Sequence, residues 1–227
     1  MKQYVIDIKN ACKSYTMGDE HLQVLNNISL KVKKGEFVAI VGPSGSGKST
    51  FMNFIGCLDK VDTGVYLLDG EDVRTLNDNK LSEIRNKKIG FIFQQFNLLS
   101  KLSALENVEL PLIYRGMSSS ERKKRSMEAL EKVGLADRRN HLPTQLSGGQ
   151  QQRVAIARAI VTDPEILLCD EPTGALDTKT SKEIMSLIKD LNDEGRTIVM
   201  ITHDLGVADQ AKRIIRIKDG TLYEERA

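Results

Sequence analysis

The sequence predicts an α/β fold with a mostly parallel sheet and a helical insertion. Three observations predict it. Apolar runs of strand length alternate with helical segments at both ends of the chain. A glycine-rich loop joins one of these strands to a helix. The middle of the chain, at about 95–162, is helical in character with little strand signal. The 227 residues suffice for one full-sized domain or two tightly fused lobes. A hydrophobic fraction of 40% supports a sizeable core and excludes wholesale disorder.

Within residues 3–41, strands are expected at Val5 to Ile8, at Val24 to Val32 and, after a Lys34-Gly35 turn, at Phe37 to Val41. Lys48 to Gly56 reads as a helix and Gly64 to Leu68 as a short strand. Ile89 to Phe93 is a compact apolar run of strand length. Ser118 and Glu121 match a capping box ahead of a charged helix whose apolar face is Met127, Leu130 and Val133. Gln150 to Val161 is a further helix, stopped at Asp163-Pro164. Ile166 to Cys169 reads as a buried strand. Thr178 to Glu194 is a helix with Ile184, Leu187, Ile188 and Leu191 on one face, closed by Gly195. Thr197 to Ile201 is a strand, and Ile214 to Ile217, Asp219-Gly220 and Thr221 to Tyr223 form a terminal hairpin.

Lys and Arg number 33 against 31 Asp and Glu, a balance that argues against a dedicated nucleic-acid binder. No apolar run approaches the ~20 residues that span a bilayer. The N-terminus, from Met1 and Lys2 onward, shows no apolar signal region, so export of the chain itself is not expected. Cys12, Cys57 and Cys169 are far apart and odd in number, which fits small core residues in a reducing cytosol rather than disulfides or a Cys-x-x-Cys metal site.

Gly42-Pro43-Ser44-Gly45-Ser46-Gly47-Lys48-Ser49 fits G-x-x-x-x-G-K-[ST], in the strand-to-helix context that gives the motif its meaning. Its glycines let backbone N–H groups turn toward phosphate oxygens, and the helix start adds its positive dipole end. Lys48 supplies a charge to the β- and γ-phosphates, and the Ser49 hydroxyl is a Mg²⁺ ligand. The strand at Ile166 to Cys169 ends in Asp170 and Glu171. Ligand chemistry in open α/β sheets sits at such carboxyl ends. There Asp170 would hold Mg²⁺ and Glu171 would polarise an attacking water. Leu146-Ser147-Gly148-Gly149-Gln150 opens a helix and forms a second anion site, one that makes most sense serving a nucleotide on another subunit.

On these residues the chain resembles the ATP-binding-cassette (ABC) ATPases over essentially its whole length. Gly42–Ser49 matches Walker A, Leu146–Gln150 the signature motif and Ile166–Glu171 Walker B. Gln94 matches the Q-loop residue, Ala175-Leu176-Asp177 the D-loop and His203 the H-loop switch. Tyr15 stands where the family has an aromatic stacked on adenine, and Thr50 extends the nucleotide site beyond Ser49. The resemblance implies a P-loop NTPase fold: a RecA-like parallel-sheet core (about 1–94 and 163–227), an N-terminal antiparallel β subdomain and an inserted helical lobe (about 95–162). It implies a head-to-tail dimer around two ATP molecules with Mg²⁺, each held by Walker A of one copy and Ser147, Gly148, Gly149 and Gln150 of the other. Gln94 would touch Mg²⁺ or the water, His203 the γ-phosphate, and Asp177 the other copy, as well as capping its own helix. No Asn-Lys-x-Asp guanine reader is present, so ATP is favoured over GTP.

Ile89–Leu99, Asn107–Leu112 and Asp170–Asp177 look like the macrolide-export and lipoprotein-release branch, with Gly174 typical of it. The expected function is therefore export driven through a separate integral membrane permease, at the cytoplasmic face of the membrane, with a periplasmic or extracellular adaptor as a further partner. The alternatives are a mechanical or peptide-sensing complex that moves no solute and a soluble ABC ATPase. The given sequence runs only a little past the hairpin, so a carbohydrate importer, a class with a long C-terminal extension, is not expected. Apolar residues beyond Gln94, among them Phe96, Leu99, Ile113 and Tyr114, supply a candidate groove for a permease helix.

Overall fold

The structure, a computed structural model, describes residues 3–18 and 20–226; Met1 and Lys2 of the N-terminal stretch read above, with Asp19 and Ala227, lie outside them. The chain forms two compact units, Met1–Arg85 with Asn192–Ala227, and Asn86–Leu191.

In the first unit, β1 (Tyr4–Met17) pairs antiparallel with β2 (Glu20–Lys33) and with β4 (Thr63–Leu68), and β4 pairs with the two-residue β5 (Glu71–Asp72). This is the antiparallel subdomain that the family resemblance implies. Three strands form a parallel set: β3 (Phe37–Val41) lies between β8 (Thr197–Thr202) and β9 (Arg213–Lys218). β3 and β8 are buried along their whole length, as expected of apolar runs without alternation. The hairpin partner β10 (Thr221–Arg226) joins β9 through Asp219-Gly220, both at positive φ (49° and 71°), the conformation of a type I′ turn. Helix α1 (Lys48–Ile55) follows β3 after the glycine loop. The fully buried Tyr66 of β4 donates its hydroxyl to the Ile55 carbonyl at 2.7 Å and meets the Phe54 ring edge-on at 4.9 Å, anchoring the end of α1.

In the second unit, β6 (Ile89–Phe93) and β7 (Ile166–Asp170) pair in parallel. Helices α3 (Ala104–Tyr114), α4 (Ser119–Lys132) and α5 (Gly148–Ile160) pack on one another, and α5 packs on β6. Gly90 permits this last approach: a Cβ there would lie 2.4 Å from the Ala159 carbonyl oxygen. α6 (Thr178–Asp193) buries Ile184, Ile188 and Leu191 as expected, but Met185 is buried with them while Leu187 is only half-buried.

Several local details differ from the sequence reading. Helix α2 (Asp78–Lys88) and the one-turn α7 (Leu205–Ala208) were not anticipated; α2 is mostly charged and buries only Leu81 and Ile84. At α4, Ser118 accepts the Glu121 N–H, but the Glu121 carboxylate pairs with Arg125 at 2.7 Å. Among the described residues no helix is long and apolar enough to cross a membrane.

Candidate functional site

The loop between β3 and α1 is built for an anion. A Cβ at Gly42 would lie 2.3 Å from the Ile217 carbonyl oxygen, so only glycine fits where β3 ends. Gly45 and Gly47 take φ of 77° and 98°, which other residues rarely adopt. Gly47 caps α1 with no side-chain bond, and the first turn carries no acid. The N–H groups of that turn are therefore open to a ligand, with the dipole end behind them. Ser46 Oγ is buried without a hydrogen-bond partner, a costly state for a hydroxyl within the loop. Lys48 folds back, its ammonium donating to the Gly42 and Pro43 carbonyls at 2.6 and 2.7 Å. Ser49 and Thr50 follow on the first turn of α1. Pro43 and Ser44 complete the loop.

Strand register sets two further groupings. Val41 pairs in parallel with Thr202, so Gly42 and the exposed His203 leave β3 and β8 at the same carboxyl edge. In the other unit, Phe93 pairs with Asp170, which brings Gln94 beside Glu171 at the carboxyl edge of β6 and β7. Glu171 takes a φ of 46°, uncommon for a residue with a Cβ and a conformation that clusters at functional sites. Gln152 of α5 joins this edge. Its buried side chain donates to the Phe93 carbonyl at 3.3 Å and the Pro172 carbonyl at 2.6 Å. It thus ties the residue before Gln94 to the residue after Glu171. Gln94 lies over Gly174, where a Cβ would sit 2.8 Å from its amide nitrogen. Sequence reasoning took Gly174 as a mark of its branch and missed this contact, which pairs residues far apart in the chain.

Leu146 to Gln150 opens α5 as expected, but the helix begins at Gly148, with Ser147 as N-cap. Ser147 Oγ accepts the Gln150 N–H, and Gln150 Oε1 accepts the Ser147 N–H at 2.9 Å, a capping box that the sequence reading did not foresee. Gly149 abuts Thr180, whose Cγ2 would be 2.4 Å from an added Cβ. Asp177 caps α6: its Oδ1 accepts from the Lys179 and Thr180 N–H groups and its Oδ2 from the Thr180 hydroxyl at 2.6 Å. These bonds hold its carboxyl below the usual carboxylate range.

Tyr15, on β1, is 37% exposed and tethered. Its hydroxyl donates to Asp59 at 2.8 Å and bonds Thr50. Asp59 also takes the Lys13 ammonium at 2.8 Å. Sequence reasoning missed Asp59, which lies in a polar loop with no motif around it. Cys57 and Cys169 are buried core residues and Cys12 is half-buried; burial pushes the Cys57 thiol up to about 12 and keeps it from reacting. On the second unit, Leu99, Ile113 and Tyr114 are exposed, Tyr114 by 83%.

The family described as "ABC transporter" matches residues 25–174, and the chain belongs to it. It is an ATP-binding-cassette ATPase, an enzyme that binds and hydrolyses ATP. The ABC transporter ATP-binding protein YknY of Bacillus subtilis is 56% identical over 218 residues, covering 96% of this chain and 95% of that protein. The macrolide export ATP-binding/permease protein MacB of Vibrio parahaemolyticus is 50% identical over 225 residues, covering 99% of this chain but 34% of that larger protein. Among solved structures, the dimeric post-hydrolysis state of the cassette MJ0796 bound to ADP and Pi, from Methanocaldococcus jannaschii, superposes with a TM-score of 0.88. It is 52% identical and covers 98% of this chain and 99% of that one.

Proposed function

We propose that this chain is the ATPase subunit of an export-type transporter, working at the cytoplasmic face of the membrane on a separate permease and closing head-to-tail with a second copy around two ATP molecules. The observation that carries this reading is the phosphate cradle, with its uncapped α1 start and its buried, unpartnered Ser46 hydroxyl. In this reading Gly42 to Thr50 bind the phosphates, and Tyr15 stacks on the base. Glu171 takes a proton from the attacking water, Gln94 orients that water, and His203 donates to the γ-phosphate. Ser147 to Gln150 and Asp177 act on the nucleotide of the other copy. Ser49, Asp170 and Gln94 offer hydroxyl, carboxylate and amide oxygens, the hard donors that suit Mg²⁺. They would hold that ion, whose chemistry is to neutralise phosphate charge.

Resemblance to a macrolide-export protein favours an exported drug; a peptide or lipoprotein cargo and an adaptor outside the membrane also belong to this proposal. The permease partner is supported by Leu99, Ile113 and Tyr114, large apolar side chains exposed on the second unit. Nucleic acid is not a partner in this reading.

The test is Glu171→Gln. It removes the base but keeps the shape, so ATP binding persists while turnover falls by about 10²-fold or more. The variant then runs as a dimer with ATP and as a monomer without it. Normal turnover would remove Glu171 from the role of base, and a strictly monomeric ATP-loaded variant would end the two-copy reading.

A further inference from the structure

We infer that Asp59 is a positioning residue for base recognition: its carboxylate fixes Tyr15 and Lys13 as one unit beside the phosphate loop. The inference rests on the reading of Tyr15 as the residue that stacks on the base. Asp59 lies just past α1, the helix that the phosphate loop opens. Its Oδ2 accepts the Tyr15 hydroxyl at 2.8 Å, and its Oδ1 accepts the Lys13 ammonium at 2.8 Å and the Lys60 N–H at 2.7 Å. Lys13 also donates to the Lys60 carbonyl at 2.7 Å and stands 5.1 Å from the centre of the Tyr15 ring. Asp62 reinforces the same loop, accepting the Ser14 N–H at 2.6 Å and lying 3.7 Å from the Lys13 ammonium.

The tyrosine would otherwise be a poor platform, because it sits toward the exposed end of a long pair of antiparallel strands and is itself 37% exposed. A free ring samples several rotamers, and ordering it on binding costs affinity. Held at the hydroxyl by Asp59 and Thr50, the ring is ordered before the nucleotide arrives. The tether reaches the residue next to Ser49, so base and phosphate recognition share one rigid frame. The bonds leave their mark on the acid: its pairing with Lys13 and Tyr15 outweighs partial burial and lowers its acidity range below that of a free carboxyl.

The experiment measures steady-state hydrolysis by the full chain together with binding of ATP and of inorganic tripolyphosphate, which has no base. Asp59→Ala should raise the KM for ATP roughly three- to tenfold, leave kcat at saturation in place, and leave tripolyphosphate affinity unchanged. Tyr15→Phe, which removes only the tethered hydroxyl, should shift KM in the same direction. Tyr15→Ala should weaken ATP about tenfold, the scale of one lost base stack. Combining Asp59→Ala with Tyr15→Phe should add little to either alone. Unchanged KM in both Asp59→Ala and Tyr15→Phe, with Tyr15→Ala still weakened, overturns the positioning role. Equal loss of ATP and tripolyphosphate overturns it too, since Asp59 would then support the phosphate loop. If Tyr15→Ala itself binds ATP normally, the failure belongs to the stacking reading of Tyr15.

Discussion

At the scale of the residue, the site depends at several positions on the side chain that a glycine lacks. Gly149 is the clearest case. A Cβ there would meet the Thr180 methyl at 2.4 Å, and Thr180 is held in turn by Asp177. Gly149→Ala gains up to about 1 kcal/mol of helix propensity. It also forces apart a packed contact, at about 1–3 kcal/mol. The clash wins because Thr180 is β-branched and hydrogen-bonded, with little freedom to swing aside. The expected outcome is a lower melting temperature, recovered by Thr180→Ser, which deletes the methyl and keeps the hydroxyl. Recovery by the serine separates this packing role from any part that Gly149 plays toward a nucleotide. A melting temperature unchanged by Gly149→Ala would show that the contact relaxes freely.

At the scale of the element, helix starts carry both stability and chemistry, and the same atoms serve both. The capping box at Ser147 satisfies donors at the start of α5, so Ser147→Ala should destabilise the protein by about 1 kcal/mol in thermal or urea unfolding, without nucleotide present. Asp177 does the same for α6 with a carboxylate, which makes its contribution depend on pH. Its folded acidity is shifted down by the Thr180 hydroxyl first and by backbone N–H groups after it. The stabilisation is therefore fully present above the unfolded value of about 3.9 and is lost as pH falls through the lower folded value. Asp177→Asn keeps a neutral cap, so its melting temperature should fall less steeply than that of the parent chain between about pH 4 and 2. Parallel curves would show that the shift contributes nothing to stability.

At the scale of the whole molecule, the exposed apolar side chains of the second unit are where a partner would read the ATPase cycle. Leu99, Ile113 and Tyr114 are large, apolar and exposed, and Tyr114 closes α3 with most of its surface in solvent. Tyr114→Ala should leave the fold intact, since it removes no buried contact. It should cut permease-coupled transport several-fold while ATP hydrolysis by the isolated chain persists. Measuring both rates on a reconstituted complex and on the chain alone decides the matter. Equal loss of both would make Tyr114 part of the chain's own framework. Phe96 is a less clean probe: it is half-buried at a φ of 59°, and its carbonyl accepts from Arg158 at 2.8 Å.

The sequence by itself determined what depends on local order. Apolar runs set β3, β6 and β7, glycine spacing set the phosphate loop, and Gly47 stands where α1 begins, because strand burial and turn conformation act over a few residues. It also located Gln94, Asp170, Glu171 and His203 at strand ends, since a motif after an apolar run is a local signal. Only the tertiary structure decided which residues stand beside these. Asp59 on Tyr15, Gln152 between Phe93 and Pro172, Gly149 against Thr180 and Gln94 over Gly174 are contacts between distant parts of the chain. Helix α2 escaped for a related reason: eight of its eleven residues are Asp, Asn, Lys, Glu or Arg, so its pattern is polar and only Leu81 and Ile84 reach a core. The partner of a side chain far away in the sequence is chosen by the packing of the folded chain, and no local spacing encodes it.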